Sequence, residues 1–191
     1  MLDSRCSFLK QVSGNEYRVT SIEHHMDKYY YLAPSLPLLK FPEKPYVTVE
    51  EFIVEAEKWL TVRDFTILSK VDINNFIPDE RDVPIVRIYK DFEYSTRAEL
   101  ASFRIAEKKI TEYKIRKDLS QIVQEDYNPL EIEIKLLQLR WNFLEEQEVS
   151  HFFDLHFLII YYLKLQILKR LFSFDKERGR EKFQAYSSVE L

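Results

Sequence analysis

Glycine is almost absent from this sequence. The 191 residues include only Gly14 and Gly179, with no glycine between them. Glycine supplies the positive φ angles of tight hairpins and lets the backbone approach a phosphate group closely. The sequence therefore excludes the glycine-rich nucleotide-binding motifs GxGxxG and GxxxxGKS/T. A sheet-rich fold would also lack its usual turn residues, so we predict a helical protein.

The sequence also has very little cysteine and no excess of basic residues. The single cysteine, Cys6, cannot form an internal disulfide. The net charge is −4, and no basic cluster is interleaved with aromatic residues, so we expect no nucleic-acid partner. The most apolar stretch, residues 152–163, is interrupted by Asp154 and His156. It is too short and too polar for a membrane span, which predicts a buried helix and no direct membrane insertion.

What the sequence does contain favours an all-α fold. Hydrophobic residues make up 46% of the chain, with 12 Tyr and 14 Phe, and charged residues of both signs make up 31%. This mixture is typical of amphipathic helices. Residues 33–46 hold four of the seven prolines and should be extended. We predict an irregular bundle of about six to seven helices with a proline-rich extended N-terminal segment.

The first 25 residues differ from the rest. They are polar, contain Gly14 and show no sustained periodicity. We predict a poorly ordered leader or extension over residues 1–25 and a single helical domain over residues 26–191. Met26 is then the natural start of the folded unit, and the three tyrosines at 29–31 are expected to pack in its core. The alternative is that residues 1–25 are a genuine, loosely ordered arm.

Several helix boundaries carry local signals. Thr48 and Glu51 form a capping box at the start of one helix. Pro84 suits the first turn of a long helix that ends at about Lys109, and Pro129 suits the first turn of another. Further helices are expected at about residues 63–71, 112–124, 150–172 and 180–186.

The helix that begins at Pro129 has two apolar stripes on opposite sides. Such a helix is usually packed between two neighbours. The first stripe consists of Leu130, Ile134, Leu137, Trp141 and Leu144, and the second of Ile132, Leu136, Leu139 and Phe143. The following helix is apolar nearly all round at residues 157–163, which predicts a central position in the bundle.

Four charged residues of the long helix are candidates for structural or interface roles. Glu93 and Arg97 have the favourable i,i+4 spacing, and Arg104 follows on the same side. Glu99 falls on the apolar stripe, where a carboxylate must be paired to be buried at low cost. A helix-to-helix salt bridge with Arg87, Arg104 or an arginine elsewhere is the favoured interpretation for Glu99, and a polar contact with a partner protein is the alternative.

Glu148 and His151 are weak metal-ligand candidates. They form the only Glu-x-x-His motif, whereas di-iron bundles use two copies and two further glutamates. The sequence also lacks HExxH, GxSxG and CxxC motifs. We therefore predict no catalytic residues, no bound metal and no cofactor, and interpret both residues as part of a solvated or capping face.

Several motifs carry a resemblance to a known family. They are residues 28–37 (KYYYLAPSLP), 92–104 (FEYSTRAELASFR), 141–146 (WNFLEE), 153–155 (FDL) and 162–170 (YLKLQILKR). Over about residues 26–185 the chain resembles a family of uncharacterised helical proteins encoded in bacterial V-type ATPase gene clusters. That family is distantly similar to the all-helical socket of V-type ATPases, which joins the central rotor stalk to the membrane ring. The shared features are Glu93, Leu100 and Arg104.

The resemblance implies a non-catalytic accessory or coupling subunit of a bacterial V-type ATPase or ATP synthase. Its implied partners are the central stalk and the membrane rotor ring, and its implied location is the cytoplasm, at the inner face of the membrane through the complex. Two alternatives stay open. One is a helical-bundle enzyme with a carboxylate and histidine metal site, and the other is a free-standing helical interaction module.

Overall fold

The computed structural model describes residues 29–109, 114–124, 128–174 and 176–187, and the predicted leader over residues 1–25 lies outside them. Within the described residues the chain forms eight helices, so the all-α class is confirmed and the helix number slightly exceeds the predicted six to seven. They are α1 (residues 29–35), α2 (Val49–Trp59), α3 (Val62–Ser69), α4 (Pro84–Lys109), α5 (Lys117–Gln124), α6 (Pro129–Glu148), α7 (Leu155–Leu171) and α8 (Lys176–Ser187).

The helix starts follow local signals. The capping box of Thr48 and Glu51 is present at the start of α2. At the start of α6, Asn128 caps the Glu131 amide and Glu131 reaches back to the Asn128 amide, with Pro129 in the first turn. Between α1 and α2, residues 36–48 have no regular secondary structure, as Pro37, Pro42 and Pro45 predict. The extended segment was predicted for residues 33–46, and this was wrong for residues 33–35, which form the last turn of α1 with Pro34 inside it.

Three predicted helix starts were wrong. α8 begins at Lys176 rather than at about residue 180. The helix predicted for residues 150–172 begins only at Leu155, because Asp154 caps it and residues 149–154 form a connection. α5 begins at Lys117 rather than at about residue 112, and residues 114–116 before it are not helical.

α7 is the centre of the bundle. Its residues 158–165 are all buried, and it packs against α2, α3, α4 and α6. A helix can be apolar on every side only where neighbours enclose it on every side. The nearly continuous apolar run of α7 therefore determines that four helices pack around it.

α6 lies between two clusters of apolar side chains. Leu137, Trp141 and Leu144 are buried in the main core with α7. On the opposite side, Ile132, Leu136 and Leu139 pack on a second cluster of Leu100, Leu119 and Ile122 from α4 and α5. The predicted two-sided packing of this helix is confirmed, although Phe143 of the second stripe packs against the main core and Leu130 of the first stripe is exposed.

Replacing Leu163 with Ala should test the central position of α7. Leu163 is fully buried, and truncating such a leucine costs about 2–5 kcal/mol of the free energy of unfolding. Urea denaturation measures this loss. Val62→Ala is the matched control, because Val62 is exposed and surface changes alter stability by about 0.5 kcal/mol or less. Equal, small losses in both variants would show that α7 is not enclosed.

Candidate functional site

The buried face of α4 changes from apolar to polar along the helix. The buried positions recur at helical spacing and are Ile85, Val86, Tyr89, Lys90, Glu93, Thr96 and Leu100. Lys90 is paired with Asp82, with 2.8 Å between Nζ and Oδ2. The first turns of this face join the main core, and its middle carries charges that need partners inside the protein.

Glu93 is a fully buried carboxylate held by two arginines. Its side chain is 0% exposed. Arg140 of α6 donates from Nε to Oε1 at 2.5 Å and from an η nitrogen to Oε2 at 3.3 Å. Arg97, one turn along α4, donates from Nε to Oε2 at 3.1 Å. Glu93 therefore joins α4 to α6 through hydrogen-bonded ion pairs that satisfy both of its oxygens.

The electrostatics of this group favour the ionised pair. Burial alone would lower the pKa of Arg140, but the hydrogen bond and the negative charge of Glu93 outweigh burial and raise that pKa. The pKa of the neighbouring Tyr89 hydroxyl is raised by burial and by the charge of Glu93. The Arg97 guanidinium also lies 4.3 Å from the centre of the Phe76 ring, which is a cation–π contact.

Glu99 is not the buried carboxylate of α4. Its side chain is 28% exposed, and its partner is Arg116, whose Nε lies 3.3 Å from Oε2. Arg116 also donates to the Thr96 hydroxyl at 3.0 Å, so it contacts two α4 side chains that lie about one turn apart. Glu99 is paired with an arginine, as expected, but the pair does not join two helices, because Arg116 precedes α5. The buried carboxylate of α4 is Glu93. Arg104 lies exposed near the C-terminal end of α4.

A row of aromatic rings lies on the surface and connects three segments of the chain. It consists of Phe153, Tyr30, Tyr31 and Trp59, with successive ring centres 5.4, 6.0 and 5.7 Å apart. Phe153, Tyr30 and Tyr31 are 51%, 59% and 60% exposed. Core packing was the expected role of residues 29–31, and that expectation was wrong for Tyr30 and Tyr31. We call these four residues the aromatic row.

A cleft of about 490 Å³ opens beside the connection between α6 and α7. Its apolar walls include Leu36, Leu39 and Phe152, and its polar side includes Glu148 and Lys164. The buried Lys164 ammonium pairs with the Glu148 carboxylate and lies 5.0 Å from the centre of the Trp141 ring. Glu148 is therefore engaged as the counter-ion of a buried lysine.

His151 has different neighbours from those its Glu-x-x-His motif suggested. Its Nδ1 lies 2.6 Å from Oδ2 of Asp154, and its ring centre lies 4.8 Å from that of His156. Among the described residues, His151, Asp154 and His156 are the group whose ligand atoms are close enough to hold one metal ion. Glu148 is outside this group.

Sequence reasoning missed the roles of Arg140, Arg116, Asp154 and His156. Arg140 and Arg116 are 47 and 17 residues from the glutamates they bind, so no local spacing pairs them. Asp154 and His156 did carry a local signal. The pattern His-x-x-Asp-x-His at residues 151–156 places three possible ligands within six residues, and an aspartate just before an apolar run is a helix cap.

Glu93→Gln should destabilise the fold more than Glu99→Gln, although both remove one carboxylate from α4. Removing one partner of a buried ion pair costs about 3 kcal/mol or more, because Arg140 would keep its charge in a buried position. A partly exposed pair such as Glu99 and Arg116 contributes about 1 kcal/mol or less. Urea denaturation of the two variants measures the difference. Losses of the same size would contradict a structural role specific to Glu93.

Comparison with known families gives a match in the C-terminal part of the chain. A family described as proteins of unknown function (DUF2764) matches residues 104–186, from the last turns of α4 to α8. The comparison with curated proteins finds no match. The comparison with solved structures finds none either. The matched region includes α6 with Arg140 and α7, together with His151, Asp154 and His156. Glu93 and the tyrosines of the aromatic row precede it.

Proposed function

We propose that this protein is a non-catalytic accessory or coupling subunit of a bacterial V-type ATPase or ATP synthase. In this role it binds components of the central stalk or of the membrane rotor ring through its helix faces. The observation that carries the proposal is the aromatic row, a surface suited to a protein partner.

The aromatic row has the composition of a binding hot spot. Tyrosine and tryptophan are enriched among the residues that contribute most to protein–protein affinity. The rings of Phe153, Tyr30 and Tyr31 are already in contact with one another, while more than half of each side chain is exposed. A partner that buried these rings would gain apolar contact while the rings lost little conformational freedom.

The sequence resemblance supplies the nature of the partner. Tyr30 and Tyr31 belong to the Tyr-Tyr-Tyr-Leu motif, and Phe153 belongs to the Phe-Asp-Leu motif. These motifs are more than 100 residues apart in the chain, yet their rings meet in the aromatic row. Two of the motifs that resemble proteins from V-type ATPase gene clusters thus contribute to one exposed surface, which favours an ATPase component as its occupant.

The charged residues of α4 divide into two roles under this proposal. Glu93 and Arg97 stabilise the fold together with Arg140, and Glu99 does so with Arg116. Arg104 is exposed and is the member of the set that we assign to the partner interface. The proposed location is the cytoplasmic side of the membrane, through the complex. No described helix is both long enough and apolar enough to span a bilayer.

The two alternative functions, a metal enzyme and a free-standing interaction module, require different features of the protein. A metal enzyme of the di-iron type needs further ligands that converge on Glu148 and His151, and the pairing of Glu148 with Lys164 does not favour it. A free-standing interaction module would use the same aromatic row for another partner. Gene neighbourhood and copurification distinguish this module from an ATPase subunit.

Copurification from the native host tests the proposal directly. Tagged protein from gently solubilised membranes should carry V-type ATPase subunits in fixed proportion. Tyr30→Ser, Tyr31→Ser and Phe153→Ser combined should reduce this recovery by about tenfold or more, because hot-spot residues each contribute more than about 1 kcal/mol.

Phe183→Ser with Tyr186→Ser is the matched control, because both rings are exposed on α8 outside the aromatic row. It should leave recovery unchanged, and the thermal midpoints of both variants should match the parent protein. Recovery of the parent protein without ATPase subunits would overturn the proposed function. Normal recovery of the triple variant would remove the aromatic row from the interface.

Arg104→Glu tests the charged part of the interface. The side chain is exposed, so the free energy of unfolding should change by about 0.5 kcal/mol or less. Recovery of ATPase subunits should nevertheless fall, because charge reversal places like charges opposite each other in a complementary interface. Lys108→Glu, one turn further along α4, is the control. Intact assembly with Arg104→Glu would exclude Arg104 from the interface.

A further inference from the structure

Three possible metal ligands meet where the α6–α7 connection enters α7. They are His151, Asp154 and His156, and one ligand atom from each lies within 4.8 Å of the others. Nδ1 of His151 is 2.6 Å from Oδ2 of Asp154, and Nδ1 of His156 is 3.8 Å from the same oxygen. Two imidazoles therefore converge on one carboxylate oxygen.

The other oxygen of Asp154 fixes the direction of this carboxylate. Oδ1 accepts a hydrogen bond from the Phe157 amide at 2.8 Å, as the N-cap of α7. This bond leaves Oδ2 directed towards the two imidazoles. A ligand oriented by a second hydrogen bond is typical of metal sites in proteins, and here the helix start itself supplies that orientation.

The spacing is close to that of a tetrahedral site. Ligand atoms at about 2.0–2.2 Å from a four-coordinate Zn²⁺ lie about 3.3–3.5 Å apart. The observed distances of 2.6 and 3.8 Å lie on either side of this range. Zinc binding therefore requires side-chain rotations that lengthen the first distance, shorten the second and bring together ligand atoms that are now as much as 4.8 Å apart. The three side chains are 28%, 42% and 32% exposed, so an ion has access from solvent.

We propose that His151, Asp154 and His156 bind one zinc ion, with a water molecule as the fourth ligand. Two imidazole nitrogens and one carboxylate oxygen form a ligand set that zinc accepts readily. The carboxylate offsets the partial positive charge that the N-terminus of α7 places nearby. This site goes beyond the proposed subunit role and does not depend on it, because it needs no partner protein.

The contacts that hold the start of α7 are made between protein atoms. Asp154 caps α7 through Oδ1, and His151 pairs with Asp154 through Nδ1. Purified full-length chain that has been stripped of metal with a chelator should therefore stay folded. Zinc binding can then be measured on its own by calorimetric titration with Zn²⁺ at neutral pH.

The titration should show one zinc ion per chain, and His151→Ala and His156→Ala should each weaken the affinity by about tenfold or more. Loss of a mere hydrogen-bonding neighbour of a ligand already costs about 10–100-fold in affinity. Asp154→Asn should also weaken binding. Its amide oxygen can still cap α7, so the thermal midpoint without metal should change little.

His24→Ala with His25→Ala is the matched control, because these are the other two histidines of the chain. This control should keep the parent affinity. Cobalt bound to the parent protein should show the intense visible absorption of a four-coordinate ion, and the double variant of His151 and His156 should not. The proposal fails if that double variant binds zinc as tightly as the parent, or if the control loses the binding.

Discussion

The rest of the fold depends on the burial of α7 from all sides. Eight consecutive residues of this helix, 158–165, are buried. Burying such a surface is the main source of stability available to a chain with one cysteine. Since no single neighbour can bury every side of a helix, α2, α3, α4 and α6 all pack around it. The one charge in this run, Lys164, is accommodated by Glu148 at the end of α6.

This constraint explains why the ion pairs lie where they do. α4 has 26 residues, and its contact with the main core involves its first turns, Ile85 to Tyr89. Beyond these turns its inner face lies towards α6, and long side chains connect the two helices. Arg140 reaches Glu93, and the rings of Phe92 and Phe143 stack with centres 4.0 Å apart. A buried ion pair of this kind adds specificity to the register of α4 on α6, because a shift would leave a buried charge without its partner.

The features that could be predicted from the sequence are those determined by local signals. The all-α class, the starts at Thr48, Pro84 and Pro129, and the two-sided packing of α6 all depend on composition, caps and periodicity within one segment. Burial of Glu93 rather than Glu99 could not be predicted in this way. The inner face of α4 is set by α6 and α7, whereas the apolar stripe seen in the sequence of α4 alone contains Glu99 and not Glu93. The aromatic row joins residues more than 100 positions apart, so it too depends on tertiary structure.

The connection between α6 and α7 links the two proposed sites. Phe153, at one end of the aromatic row, lies between His151 and Asp154 in the chain. Residues 149–154 have no helical hydrogen-bond ladder to hold their backbone. An ion bound by His151, Asp154 and His156 would close a short loop around Phe153 and restrict the positions its ring can take. Since binding surfaces gain affinity when their residues are held in place beforehand, an ion at the start of α7 would add to the order that contact with Tyr30 already gives to the Phe153 ring.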